Sequence, residues 1–345
     1  MITITTKKHD EIPWHLLFGA LLFAIELINV KDMQLPTIVH DEIGYWTSAA
    51  YFNGYNWNGI TSQYSYYSYG TGLILALFFH LSNDMTIVYR FVMSFQILLT
   101  LFIFLLEHRV YSYLFPQSGS FTKSLCCFLP LIYPTYMYNT GIAWSEHYCL
   151  FFMWLNIYLL IISLRKNKLW ILILFAVTTV YTYIIHQRNI GVIVCGLGIM
   201  TILLHEKKIS LRNYIVILST IGLLIIIHRF IKTDLIQTVW VQKDLISSDN
   251  YANVSMNDYS GRFEVLRFAL ENGGLTSILS SIIGKYMYLV LSSCCLTFGA
   301  LHFFANIICT KKETLTYDTA IVLYYILFVF VFSFFLCRCF RYYLC

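Results

Sequence analysis

The chain has 345 residues, of which 58% are hydrophobic and only 12% charged, and its formal net charge is +5. With a mean hydropathy of +0.67 it has too little polar surface to coat a soluble globule, so water is excluded as its main solvent. The apolar residues fall in long runs that match a hydrocarbon core of about 30 Å, and they do not alternate in polarity, so spanning helices are expected and a β-barrel is excluded.

The first run, Trp14 to Val30, follows Lys7 and Lys8 and has no small-x-small cleavage site after it. It is read as a span that stays in the mature chain. Further spans are expected at Thr86 to Leu106, Ser124 to Trp144, Tyr148 to Leu164, Leu169 to Ile185, Ile190 to Leu204, Tyr214 to His228, Tyr286 to Cys309 and Thr319 to Cys337. The fold class is therefore an all-α polytopic membrane protein of about nine transmembrane helices, and residues 1–345 form a single transmembrane domain. The run Tyr69 to Ser82 differs, because it has 14 residues with polar or glycine positions near its start. That length suits an interfacial helix better than a span.

Charge supplies an independent test. With the N-terminus cytoplasmic and Tyr69 to Ser82 not crossing, the inner loops hold Lys7/Lys8, Arg109/Lys123, Arg165/Lys166/Lys168, Lys207/Lys208/Arg212 and Lys311/Lys312. Every inner loop is then basic, which is the positive-inside pattern. Letting Tyr69 to Ser82 cross would invert all later loops and put Arg165, Lys166 and Lys168 outside. Residues 31–85 thus become a first extracytoplasmic loop with interfacial helices, and residues 229–274 a second. The ten cysteines lie mostly inside apolar runs or at the C-terminal end and do not form a disulfide framework or zinc-ligand spacing.

The first outer loop opens with His40-Asp41-Glu42-Ile43-Gly44-Tyr45-Trp46, ten residues past the first span. Two adjacent carboxylates followed by aromatics just above a bilayer are unusual. Successive helical side chains diverge by about 100°, so Asp41 and Glu42 cannot both face one substrate atom. Either one of them faces a site, or Asp41 caps a helix with Glu42 in its favourable first turn. Glu146, beside His147 between two apolar runs, is either an acidic site residue at the outer edge or a loop residue in water. Glu26, near the outer end of the first span, is expected to pair with Asn29 or Lys31. Tyr64, Tyr66, Tyr67 and Tyr69 suit sugar stacking but equally an ordinary interfacial belt.

Asp-Glu-x-x-Tyr after a first span, a surface helix of the type Tyr66-Tyr67-Ser68-Tyr69-Gly70-Thr71-Gly72-Leu73, a span opening with Tyr89-Arg90, and Ser145-Glu146 at the outer end of the third span occur in this order. The order resembles the multi-span glycosyltransferases of the C-type fold, which include protein O-mannosyltransferases and aminoarabinose transferases. The likeness covers residues 10–200. It implies a polyprenyl-phosphate sugar donor, a glycan, lipid or protein acceptor, and an extracytoplasmic active site in a multi-pass membrane protein.

Such transfer needs a carboxylate to take the proton of the attacking hydroxyl, and the resemblance assigns that role to Asp41, with Glu42 and Glu146 as accompanying acidic residues. The leaving phosphate needs cations at headgroup level. Arg188, in the polar break His186-Gln187-Arg188-Asn189, can hold a phosphate bidentately, and Lys285 as a point charge. Arg90 is a third cation at the outer edge, and Tyr45, Tyr67 and His186 complete the candidate substrate-binding set. Each of these basic residues has the alternative of snorkelling to headgroups.

No metal ligand set is assigned, although some relatives of that fold use a divalent cation, so a divalent cofactor stays open. No nucleotide-binding motif occurs, and no nucleic-acid partner is expected. The expected function is an inverting transferase acting on a cell-envelope glycan. A transporter or flippase of lipid-linked glycans and a glycan repeat-unit polymerase are the alternatives. The polymerase would use 229–274 as its late outer loop.

Overall fold

The computed structural model describes residues 13–34, 36, 40–57, 68–166, 168–235 and 318–326; within these, the side chains of His40, Asp41, Thr135 and Arg188 lie outside the description. The described residues are mainly helical, with no strand among them. In chain order the helices are α1 (Trp14–Val30), α2 (His40–Phe52), α3 (Gly70–Phe79), α4 (Met85–Leu114), α5 (Ser120–Leu131), α6 (Pro134–Thr140), α7 (Ser145–Lys166), α8 (Leu169–Ile185), α9 (Ile190–His205) and α10 (Leu211–Leu235). A single 3-10 turn, Gln187–Asn189, joins α8 to α9, and residues 318–326 are helical.

Among these, α4, α7 and α10 are long and apolar enough to cross a membrane. The chain is accordingly an α-helical membrane protein. Helices α1, α8 and α9 are apolar but shorter, at 17, 17 and 16 residues. The expected spans Tyr286 to Cys309 and most of Thr319 to Cys337 lie outside the described residues. Helix α3 has ten residues, about 15 Å of rise, and is too short to cross, as expected for Tyr69 to Ser82.

Two expectations about spans need correction. The run Ser124 to Trp144 is not one helix. Pro130 sits inside α5, and Pro134 opens α6 in its first turn. The ring of Pro134 disfavours the helical region for the residue before it, and Tyr133 is extended, at φ −65° and ψ 134°. The chain therefore breaks at Ile132 and Tyr133, and the turn Gly141–Trp144 follows α6. The second correction concerns length. Helix α4 continues eight residues beyond Leu106, to Leu114, so Glu107, His108 and Arg109 belong to the helix. Its start is fixed by Asp84, whose carboxylate accepts from the Thr86 N–H at 2.8 Å. In the same way α10 runs on to Leu235, past the expected start of the second outer loop at Arg229.

Contacts sort the helix ends into two groups. At one end, Trp14 meets Phe121 edge-on with ring centroids 5.0 Å apart, and His15 lies 5.4 Å from His108. The Arg165 guanidinium covers the Tyr113 ring there at 4.6 Å, and Lys208 pairs with Asp318. This basic end joins the start of α1, the end of α4, the start of α5 and the end of α7. The opposite end gathers α2, the start of α3, the start of α4, α6, the start of α7, the end of α8 and the end of α10.

Two close approaches hold α3 there. A Cβ on Gly70 would lie 2.5 Å from the Ile185 backbone nitrogen, and one on Gly72 would lie 2.7 Å from the Ser48 Cβ. Only glycine lets α3 sit this near α8 and α2. Along the bundle, α7 and α8 pack closely. Asn156 donates to Thr179 Oγ1 at 2.9 Å and accepts from the Thr178 and Thr179 hydroxyls at 3.1 and 3.2 Å.

Candidate functional site

The α2 end is built around Glu42. Its side chain is 0% exposed, and one oxygen, Oε1, accepts from the Tyr89 hydroxyl at 3.1 Å and from the Ala143 N–H at 3.0 Å. A buried carboxylate is tolerated only where donors converge on it. Here the donors come from the first turns of α4 and from the turn after α6. One helical turn on, the Tyr45 hydroxyl donates to Ser145 Oγ at 2.8 Å, and Ser145 Oγ donates to Glu146 Oε2 at 3.1 Å. The first two turns of α2 are thus tied to α4, to the 141–144 turn and to the start of α7.

The 141–144 turn is held from its other side too. Gln96, buried within α4, donates through Nε2 to the Ile142 carbonyl at 2.8 Å, and its own backbone carbonyl lies 3.2 Å from His147 Nε2. Because a carbonyl can only accept, that imidazole nitrogen carries the hydrogen. Neither Gln96 nor the Ile142 carbonyl figured in the expected site. Gln96 was visible as an amide inside an apolar run, and that is a signal for an internal partner.

The other expected residues are placed differently from one another. Asp41 occupies the first turn of α2 beside Glu42, and Arg188 lies in the 187–189 turn. That turn belongs to the same end: Asn189 Nδ2 donates to Cys149 Sγ on α7 at 3.0 Å, while Ser68 donates to the Ile184 carbonyl and Tyr181 to the Gly70 carbonyl at 2.9 Å. Glu146 and Arg90 are exposed, the first at the start of α7 and the second in the second turn of α4. His186, half-buried, ends α8 with its N–H bonded to the Thr182 carbonyl at 3.3 Å. Tyr45 is 3% exposed, with its ring packed in the core and its hydroxyl given to Ser145. Tyr67 and Lys285 lie outside the described residues.

A second carboxylate is buried at this end. Glu26 is 0% exposed. It meets Asn29, as the sequence suggests, through a contact of 3.4 Å from Asn29 Nδ2, and it also accepts from the Thr140 hydroxyl at 2.7 Å. Lys31 turns instead toward Asp32, at 4.0 Å on the surface.

Among the described residues no three His, Cys, Asp or Glu side chains gather as a metal-binding group.

No family model matches this chain, and no curated protein matches it.

Proposed function

We propose that the protein is a membrane glycosyltransferase that moves a sugar from a polyprenyl-phosphate donor to an acceptor hydroxyl at the α2 end of the bundle, and that this end faces the extracytoplasmic side. The carrying observation is the anchoring of Glu42. Its two hydrogen bonds fix the first turn of α2, so the backbone that bears Asp41 has a defined place at the same end of the bundle as the 187–189 turn that bears Arg188. Asp41 takes the acceptor's proton as its oxygen forms the bond to the anomeric carbon. The bond from that carbon to the phosphate oxygen breaks with inversion, and Arg188 meets the charge that develops on the leaving phosphate. Arg90 and Lys285 are further cations for the same lipid phosphate.

Sidedness in this reading rests on charge. Arg109, Lys123, Arg165, Lys166, Lys207 and Lys208 all lie toward the opposite end, which the positive-inside rule assigns to the cytoplasm. Cysteine placed at Ser82 should be labelled by an impermeant reagent from outside, and cysteine placed at Asn167 should not. Labelling of both or of the reverse set would invert the assignment.

The decisive experiment is turnover of radiolabelled lipid-linked sugars by membranes that carry wild type or Asp41→Asn. Asp41→Asn should abolish transfer while insertion and thermal stability stay at the wild-type level. Undiminished transfer would remove the base. A second reading, a flippase of lipid-linked glycans, gains from the helix break at Ile132 and Tyr133, because transporters commonly use discontinuous helices. Reconstituted vesicles that flip a labelled lipid-linked glycan without transferring its sugar would favour it.

A further inference from the structure

The basic end of the bundle carries its charges in two ways. Some are answered within the protein: Lys208 pairs with Asp318, and the Arg165 guanidinium lies over the Tyr113 ring. Others are gathered without an acid, where the start of α1, the end of α4 and the start of α5 bring four basic side chains round one place. The half-buried ring of His108 lies 5.4 Å from that of His15, and Arg109 and Lys123 both stand near enough for their charges to bear on its imidazole. Among the described residues none of these four comes within 4 Å of a carboxylate. Glu107, the neighbouring acid in the sequence, is buried inside the bundle near the Cys127 thiol. Lys123 reaches back over the turn between α4 and α5, where its ammonium donates to the Pro116 carbonyl at 3.2 Å, and an ammonium has three donors. Arg109 is exposed at the rim.

Like charges crowded together repel unless a counter-charge joins them. We propose that His15, His108, Arg109 and Lys123 form a surface that binds the phosphate of an anionic phospholipid at this end of the bundle. The guanidinium suits a phosphate bidentately, the ammonium meets it as a point charge, and the imidazoles add N–H donors. A lipid is favoured over a soluble anion by what surrounds the cations. Trp14 packs edge-on against Phe121, whose ring is 45% exposed, and Phe18 lies 5.8 Å from the same ring. Tryptophan is characteristic of the level at which headgroups meet hydrocarbon, and the exposed Phe121 ring offers apolar surface to a glycerol backbone and acyl chains that a free phosphate does not have. A zwitterionic headgroup brings its own cation, so the unanswered positive charge selects a lipid of net negative charge.

A lipid held there fastens the start of α1 to the turn between α4 and α5. This role is independent of the transfer reaction proposed above, and its test does not use transfer. Full-length protein in a neutral detergent is titrated with phosphatidylglycerol, with phosphatidylcholine or with inorganic phosphate at constant ionic strength. The thermal midpoint is followed, and the lipids retained are counted by native mass spectrometry. Phosphatidylglycerol should raise the midpoint in a saturable way, since a ligand that binds only the folded state stabilises it; phosphatidylcholine and inorganic phosphate should not. Arg109→Gln and Lys123→Gln, at surface positions that should fold normally, should each need about fivefold more phosphatidylglycerol for the same rise, the factor expected for one basic residue at an anionic lipid surface. Lys166→Gln, exposed at the same end of the bundle but outside the cluster, should titrate as wild type does. Equal protection by the two lipids would overturn the site, as would a Lys166→Gln loss as large as that of Arg109→Gln, which would mean a diffuse basic surface. Protection by inorganic phosphate alone would overturn the lipid as its occupant.

Discussion

The α7–α8 pair and the stretch from Pro130 to Trp144 are built from similarly apolar sequence, yet they satisfy their polar groups in opposite ways. In α7–α8 one amide, Asn156, is bonded by two threonines on the neighbouring helix, and both helices run unbroken. The Pro130–Trp144 stretch is broken by proline, and its freed groups reach side chains that are distant in sequence: Ala143 N–H to Glu42, the Ile142 carbonyl to Gln96, and the Met137 carbonyl to Asn29. A straight helix hides its backbone from lipid by itself, whereas a broken one must be covered by other segments. Both of these buried carboxylates at the α2 end, Glu26 and Glu42, meet the broken stretch.

This contrast can be broken most severely at Glu42. Glu42→Ala leaves the Tyr89 hydroxyl and the Ala143 N–H buried without their acceptor, at about 1–3 kcal/mol for each. The expected result is a large fall in the thermal midpoint together with easier proteolysis of the 141–144 turn. Glu42→Gln keeps an acceptor oxygen and should retain most of the stability. If alanine is as stable as wild type, the broken stretch does not depend on that carboxylate.

Gly70→Ala is expected to rank next. The added methyl would stand 2.5 Å from backbone rather than from a movable side chain, and overpacking of this kind costs about 1–3 kcal/mol. Its effect should be read as loosened docking of α3 on α8, by cysteine cross-linking between the two helices. Gly198→Ala, where a Cβ meets nothing within 4 Å, should be neutral or slightly stabilising and serves as the control.

The smallest effect is expected in the closed pair. Asn156→Leu removes three hydrogen bonds, but Thr178 also bonds to the Leu174 and Phe175 carbonyls of its own helix at 2.9 and 3.0 Å. Interhelical hydrogen bonds in membranes average about 0.6 kcal/mol by double-mutant cycles, so the shift in stability should be under about 1 kcal/mol. A loss in Asn156→Leu as large as that in Glu42→Ala would erase the distinction between the two regions.

The legibility of the chain follows the same division. Trp14 to Val30 and Leu169 to Ile185 are helices with the bounds expected from hydropathy alone, and the ten-residue α3 sits within the run expected not to cross. Asp41-Glu42 could be marked as unusual, and so could Arg188 in its polar break. That Glu42 is buried could not be read, since adjacent positions of one helix turn carry the same chemistry, and its donors Tyr89 and Ala143 lie 47 and 101 residues away. The break at Tyr133 was legible in principle from Pro134, because proline restricts the residue before it. The apolar composition of the run concealed it.

Composition and the spacing of charge, by themselves, determined that this is a helical membrane protein and collected its basic residues between spans, because transfer of apolar and charged groups between water and lipid is a property of short segments. The tertiary structure alone decided that Glu42 is enclosed by Tyr89 and Ala143, that Tyr45 belongs to the core, and that Glu26 meets Thr140 and Asn29. A buried polar group takes its donors from whatever segments packing brings near it, and no local pattern records which segments those are.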